Sequence, residues 1–370
     1  MGLPARADFK SGMRSARWAI AAVLFLCQNA RADVLGDRFA TVWESLWFQG
    51  GSPTSVVRWP ADIRVHIRGM NQSFHRDRIV KALQLVAAGA GRTVVDANEQ
   101  TDATLDVEIV ADNALPDNQA CFVRFERITN SLIDKAVMKL RDRAVYHCVL
   151  HEAMHVMGIR GHPTGNTVLS YFYQRVDAIT ELDRLMLKAW YSPTMRPGMT
   201  PFAALQVLTQ AVVEADAGAT PDAAMRRTRF HAETMASMES YVRGEGEVPV
   251  ILKRSGTASA EGMRVGRRIM AYFLGAAYAD GVIAVADPKR SFEWFERSAL
   301  EGLMGGQIVM GRLHEKGEGG AQQSASDAFF WFSLAAAQGS AGAQAQALRV
   351  AAVLTPEERA KADARLAAFK

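Results

Sequence analysis

Apolar and polar residues alternate from Ile63 to Ile67, which is the period of a half-buried strand. From His75 to Ala88 the apolar positions follow helical spacing, with Ile79, Leu83 and Val86 on one side. Short β-type segments follow at residues 92–95, 105–110, 120–125 and 136–140, and then a helix from about 144 to 157. The pattern predicts an α+β layer, a small mixed sheet with one backing helix and a second helix after it.

The rest of the chain has helical spacing. Helices are predicted at residues 177–191, 202–215 and 223–242, with linker-like stretches at 216–221 and 244–262. The sequence does not indicate which element the helix at 223–242 packs against. Near the end, Thr355 followed by Pro356 and two glutamates has the composition of a helix N-terminus, and this helix should run to about Phe369.

A repeat of 36 to 37 residues occupies the C-terminal part. The recurring pairs are Trp294 with Trp331, 298–302 with 335–339, and 274–275 with 310–311. The pairs predict αα-hairpins. These residues resemble the SEL-like repeats, a subclass of the tetratricopeptide-like repeats, over about 264–345. The resemblance implies a protein partner. The alternative is that these helices only complete one fold.

The first 32 residues have the pattern of a secretory signal peptide, with basic residues, an apolar run from Trp18 to Cys27 and the small-x-small sequence Ala30-Arg31-Ala32. Five basic residues and one acid in this leader account for the formal net charge of +4. The mature chain is therefore close to neutral, and we expect neither a nucleic-acid partner nor a transmembrane segment after cleavage. The expected location is the periplasm or the medium.

Two cysteines, Cys121 and Cys148, remain after this cleavage. In an oxidising compartment a disulfide is the simplest interpretation, and two free thiols are the alternative. The bond would tie the start of the helix at 144–157 to an upstream strand.

A metal site is indicated within that helix. His151 and His155 are four residues apart, so both imidazoles leave the same face and can bind one zinc ion. Glu152 lies beside them as a candidate general base, and Gly158 allows a sharp turn that returns a later ligand to the metal. The alternative is a pair of ordinary helix histidines with a surface glutamate.

The pattern resembles the metzincin clan of zinc endopeptidases, whose signature is His-Glu-x-x-His-x-x-Gly-x-x-His/Asp. Gly161 occupies the third ligand position in strict register, and a histidine, His162, follows one residue later. We favour His162 as the third ligand. The alternatives are the loss of this ligand, or His147 in its place.

The sequence Thr167-Val-Leu-Ser-Tyr171 is similar to the Met-turn of that clan, with Leu169 at the methionine position. The resemblance implies that Tyr171 contacts the zinc or the oxyanion of the reaction. The alternative for Tyr171 is a core aromatic side chain.

The stretch from Trp59 to Met199 also looks like an uncharacterised metzincin-like family of exported bacterial proteins, through Arg58-Trp59, the two cysteines, Leu182-Asp183 and the sequence from Tyr191 to Gly198. The resulting division is a signal peptide at 1–32, a peptidase domain at 33–200, a helical linker at 201–263 and repeats with a capping helix at 264–370. The main hypothesis is a zinc endopeptidase acting on a protein or peptide substrate. The alternative is an inactive scaffold that acts as an adaptor through its repeats.

Overall fold

A computed structural model describes residues 33–48, 52–97, 100–170, 178–218, 220–249, 252 and 260–369. The leader at 1–32 lies outside the described residues. In the N-terminal part the helices are α1 (Val34–Glu44), α2 (Gln72–Gly89), α3 (Val145–Val156) and α4 (Glu181–Trp190). The strands are β1 (Trp47–Phe48), β2 (Ser52–Pro53), β3 (Ile63–Gly69), β4 (Val94–Asp96), β5 (Leu105–Val110), β6 (Cys121–Thr129) and β7 (Leu132–Arg141).

A five-stranded mixed sheet organises this part, in the order β4-β3-β5-β7-β6. All neighbouring strands are parallel except β6, which runs antiparallel to β7. The apolar residues of β3, predicted from their alternation, face the core, where Ile63, Val65 and Ile67 are buried. Helices α2 and α3 pack together, and α3 also contacts β6 and β7. The predicted α+β layer is confirmed.

The β6–β7 hairpin is longer than the sequence pattern predicts. Its outer half, which ends in a turn with positive φ at Asn130 and Ser131, has mostly exposed residues on β6 and no clean apolar alternation. Helix α4 begins four residues after its predicted start, because Thr180 forms a capping box with Asp183. The predicted start at residue 177 lies outside the described residues.

Helix α1 has no counterpart among the predicted elements. Asp33 caps it by accepting a hydrogen bond from the backbone N–H of Gly36 at 2.8 Å. Leu35, Phe39 and Val42 are buried at helical spacing. This spacing is visible in the sequence, so the helix could have been predicted from it.

In the C-terminal part, the regular elements among the described residues are all helices. Its helices are α5 (Pro201–Ala215), α6 (Ala223–Arg243), α7 (Ala260–Asp280), α8 (Pro288–Leu300), α9 (Met304–Lys316), α10 (Ala325–Ala337), α11 (Ala341–Ala351) and α12 (Pro356–Ala368). The predicted cap at Thr355 and the last helix are confirmed. In this described part, no helix is long and apolar enough to cross a membrane.

Close helix packing explains the repeated glycines. A Cβ atom on Gly275 would lie 2.8 Å from the ring of Phe295, and one on Gly311 would lie 2.6 Å from the ring of Phe332. Each glycine therefore lets the two helices of one hairpin approach closely. The equivalent contacts confirm the repeated αα-hairpin, α7–α8 followed by α9–α10.

One hydrophobic core connects the N-terminal part to the first repeat. It extends from Leu35 on α1, through the sheet, to Tyr278 on α7 and Trp294 on α8. Helix α6, whose partner the sequence does not indicate, packs against α1, α5 and α7, and the rings of Phe230 and Phe39 are 5.5 Å apart. The first repeat is therefore part of the same packed body as the sheet.

Candidate metal centre

Three histidines meet at the C-terminal half of α3. His151 and His155 lie one turn apart on the helix, and His162 reaches them from the loop that follows it. The Nε2–Nε2 distances are 3.1 Å between His151 and His155, 2.9 Å between His155 and His162, and 3.2 Å between His151 and His162. The structure thus brings together the three predicted ligands, including the one shifted by a residue from the clan pattern.

The tautomers of the two helix histidines follow from their hydrogen bonds. The Nδ1 atom of His151 lies 2.9 Å from the carbonyl oxygen of Val168, and that of His155 lies 2.7 Å from the carbonyl oxygen of Ile159. Because a carbonyl oxygen only accepts, both Nδ1 atoms carry the proton. The Nε2 lone pairs of these two rings therefore point into the cluster, as metal ligands do.

The cluster fits a zinc ion in both spacing and charge. Three nitrogens held at about 2.0–2.1 Å in a tetrahedral arrangement are about 3.3 Å apart, close to the three distances observed. Burial lowers the pKa of His151 to about 4 and that of His162 to about 3, and it also lowers the pKa of His155. The imidazoles are therefore neutral at pH 7, which is the form that binds metal.

Glu152 is buried rather than on the surface. Its side chain is 2% exposed, and no hydrogen-bond partner for its Oε2 atom is found among the described residues. Burial raises the pKa of this carboxyl to about 8. The alternative of two ordinary helix histidines, His151 and His155, with a surface glutamate is therefore wrong for the glutamate.

The end of α3 is held by aromatic side chains that the sequence motif does not include. The indole N–H of Trp59 donates to the carbonyl oxygen of Val156 at 2.8 Å, and the hydroxyl of Tyr191 donates to that of Met157 at 3.1 Å. These bonds satisfy carbonyls that a helix end leaves unpaired. Gly158 then turns the chain with φ of 96°. The sequence pattern gives no indication that Trp59 and Tyr191 support the end of α3.

A buried carboxylate, that of Asp183, supports the backbone group that orients His151. Asp183 is fully buried and accepts hydrogen bonds from the backbone N–H groups of Val168, at 3.2 Å, and Thr180, at 2.9 Å. Val168 is the residue whose carbonyl oxygen accepts the Nδ1 proton of His151. Asp183 therefore fixes the peptide that orients the His151 ring, an arrangement also expected around metal-binding histidines.

The outcome differs among the other residues predicted to belong to the site or to support it. His147 is exposed on α3 and lies outside the histidine cluster, so the structure does not support it as a ligand. Leu169 is fully buried. Tyr171 lies outside the described residues, and its role stays a prediction. Cys121 and Cys148 form the expected disulfide, which joins β6 to α3.

Comparison with known families adds two matches. Residues 38–210 match the family described as "Protein of unknown function (DUF2927)". Residues 269–303 and 306–340 match the Sel1 repeat, so the chain carries two Sel1 repeats, and these indicate a protein-interaction function. The DUF2927 match covers most of α1, the sheet and the histidine cluster but assigns no activity to them.

Among curated proteins, no match to this chain is found. One solved structure is described as the crystal structure of c5321, a protective antigen present in uropathogenic Escherichia coli strains displaying an SLR fold. It is 16% identical, with a TM-score of 0.28, over 53% of this chain and 49% of that protein. The match thus spans about half the length of c5321.

Proposed function

We propose that this protein is a zinc-dependent hydrolase of peptide bonds whose Sel1 repeats bind a protein partner. The observation that carries the proposal is the convergence of three Nε2 atoms, 2.9–3.2 Å apart, from His151, His155 and His162. Two of these rings have their tautomer fixed by backbone carbonyls. Without a cation, their lone pairs would repel one another at this distance.

Three protein ligands favour a catalytic over a structural zinc, because structural sites normally have four. The described residues offer three ligands in this cluster. A bound zinc would supply a polarised water and an electrophile for the substrate carbonyl.

Glu152 supplies the proton transfer in this proposal. Its buried carboxylate accepts a proton from the attacking water at a carboxylate oxygen, holds it, and delivers it to the leaving amine. Burial raises the pKa of Glu152 to about 8, so without a cation this carboxyl is mostly protonated at pH 7; a zinc ion at the neighbouring histidines would lower that pKa and favour the carboxylate that acts as the base. Tyr171 stays the candidate donor to the oxyanion.

Export to the periplasm or the medium is also part of the proposal. It rests on the signal-peptide pattern at 1–32 and is supported by the disulfide between Cys121 and Cys148, since such bonds persist in oxidising compartments.

The test combines zinc content with peptide hydrolysis, using the full chain purified without added zinc. We expect about one zinc per chain and cleavage within a peptide library. Glu152→Gln should retain zinc and lose cleavage, and His162→Ala should lose most of the zinc. His147→Ala is the matched control, because it removes an exposed histidine from the same helix and should change neither. An active Glu152→Gln protein would end the catalytic proposal.

A second candidate is an adaptor whose N-terminal domain is an inactive scaffold. The Sel1 repeats favour it, because protein binding is the function that they indicate, and the DUF2927 match contributes no activity. This candidate predicts that partner capture by the repeats is unchanged in Glu152→Gln and that no peptide in the library is cleaved. Zinc bound without any cleavage would therefore favour the adaptor.

A further inference from the structure

We infer that Glu44, at the C-terminal end of α1, is a positioning residue for the third zinc ligand. This inference rests on the proposed zinc site. It concerns the loop from Gly158 to Thr167, which leaves α3, carries His162 and has no helix or strand of its own. Something outside the loop must therefore hold His162 toward the other two histidines.

The side chain of Glu44 forms hydrogen bonds directly with this loop. One carboxylate oxygen, Oε2, accepts a hydrogen bond from the backbone N–H of Thr164 at 2.6 Å and one from its hydroxyl at 2.7 Å. Thr164 is two residues beyond His162. Glu44 is 8% exposed, so these bonds are largely shielded from competing water.

Two further contacts, made by Gly161 and Gly165, show that the loop packs against the end of α1. The backbone N–H of Gly161 donates to the carbonyl oxygen of Ser45 at 3.0 Å. A Cβ atom on Gly161 would lie 2.3 Å from the carbonyl oxygen of Glu44, and one on Gly165 would lie 2.0 Å from Oγ1 of Thr41. Thr41 lies one turn before Glu44 and the C-cap residue Ser45, so all three contacts lie at the C-terminal end of α1. Glycine is thus required where the loop touches α1.

Helix α1 is itself fixed, so it can serve as an anchor. Trp43 stacks on Phe202 of α5 with ring centroids 5.3 Å apart, and it meets Trp47 edge-on at 5.7 Å. Every residue from Thr41 to Trp47 is buried. The hydrogen bonds from Thr164 to Glu44 therefore connect the loop that carries His162 to a well-packed part of the fold.

This arrangement also explains the one-residue shift of the third histidine. In strict register the ligand would stand at position 161, where a side chain would collide with the backbone of Glu44 and Ser45. The next residue, His162, is the one whose ring reaches the cluster.

The experiment measures zinc affinity by competition with a chelating dye, and thermal stability in parallel, on the full chain. Glu44→Ala should weaken zinc binding about 10- to 100-fold, the range typical of groups that support metal ligands. Glu44→Gln keeps an acceptor oxygen and should restore most of the affinity. Glu181→Ala is the matched control, since it removes an exposed glutamate that contacts α1 through Arg38. It should leave the zinc affinity unchanged.

A double-mutant cycle distinguishes positioning from general stabilisation. In a His162→Ala background, Glu44→Ala should weaken zinc binding no further, because the ligand that it positions is gone. An equal loss in both backgrounds, or a lower melting temperature with unchanged zinc affinity, would overturn the inference. If Glu44→Ala does not fold, Thr164→Val removes one of the two bonds and should weaken zinc binding several-fold. Unchanged affinity in that variant would also overturn the inference.

Failure of the proposed zinc site and failure of this inference give different results. If the wild-type chain binds no zinc, both the metal site and the role of Glu44 are wrong. If Glu44→Ala binds zinc as tightly as the wild type, only the role of Glu44 is wrong.

Discussion

The substitution Gly158→Ala should lower both the stability of the chain and its affinity for zinc. Gly158 has φ of 96°, and an added Cβ would lie 2.2 Å from the carbonyl oxygen of Val57. That carbonyl cannot retreat freely, because it accepts a hydrogen bond from the indole N–H of Trp190 at 3.0 Å. The backbone around the turn must therefore move by about 1 Å to restore a normal van der Waals contact.

The two penalties can be estimated separately. A left-handed conformation costs a residue with a Cβ about 1–2 kcal/mol, and overpacking costs about 1–3 kcal/mol more. We expect the free energy of unfolding to fall by about 2–5 kcal/mol. Zinc affinity should fall as well, because the shifted turn contains Ile159, whose carbonyl oxygen accepts the Nδ1 proton of His155 at 2.7 Å. Loss of such support typically weakens metal binding about 10- to 100-fold.

Two other glycines provide matched controls. Gly91 has φ of 63° and no atom within 4 Å of an added Cβ, so Gly91→Ala measures the backbone strain alone. Gly342 lies in α11, again with nothing within 4 Å, and Gly342→Ala should stabilise the helix by up to about 1 kcal/mol. Denaturant unfolding and chelator competition would be run on all three variants. If Gly158→Ala lowers stability no more than Gly91→Ala and leaves zinc affinity intact, the steric account of this turn is wrong.

Three further predictions concern stability. Burial lowers the pKa of His231 to about 4, so the unfolded state takes up a proton first as pH falls from 6.5 to 4, and stability is lost in this window. From pH 7.5 to 5 this loss amounts to about 2 kcal/mol, and denaturant titrations should show it reduced in His231→Gln; identical pH profiles would contradict it. Replacing both Cys121 and Cys148 by serine opens a loop with a sequence separation of 27 and should lower stability by about 3–4 kcal/mol, whereas the wild type in reducing buffer should match the double variant. Trp59→Phe removes the buried bond to the end of α3 and should lower the free energy of unfolding by about 1–3 kcal/mol, and an unchanged denaturation midpoint would refute this.

The elements that the sequence predicts best are those with a strong local period. Strand β5 has the predicted bounds, Leu105–Val110, and α3 lies within a residue of its prediction at both ends. The placement of His151 and His155 on one face of α3 follows from helical geometry alone, since residues four apart share a face.

The sequence is less informative about what holds the site together. Asp183, Trp59 and Glu44 each form a hydrogen bond with a backbone group near the histidines that is distant from them in sequence, and no local spacing encodes such contacts. The third ligand could be proposed from the sequence, but its alternatives stayed open. The contact between Gly161 and α1, which favours His162, depends on a helix about 120 residues upstream.

The core shared by the sheet and the first repeat has a geometric consequence for any partner. Because α7 packs on α6 and on β2, the first Sel1 repeat cannot swing on a tether relative to the histidines. A protein bound by this repeat would therefore be held in a defined position relative to the three histidines. If the proposed hydrolysis takes place, the segment of a bound protein that is cleaved would be set by its distance from the first repeat rather than by its local sequence.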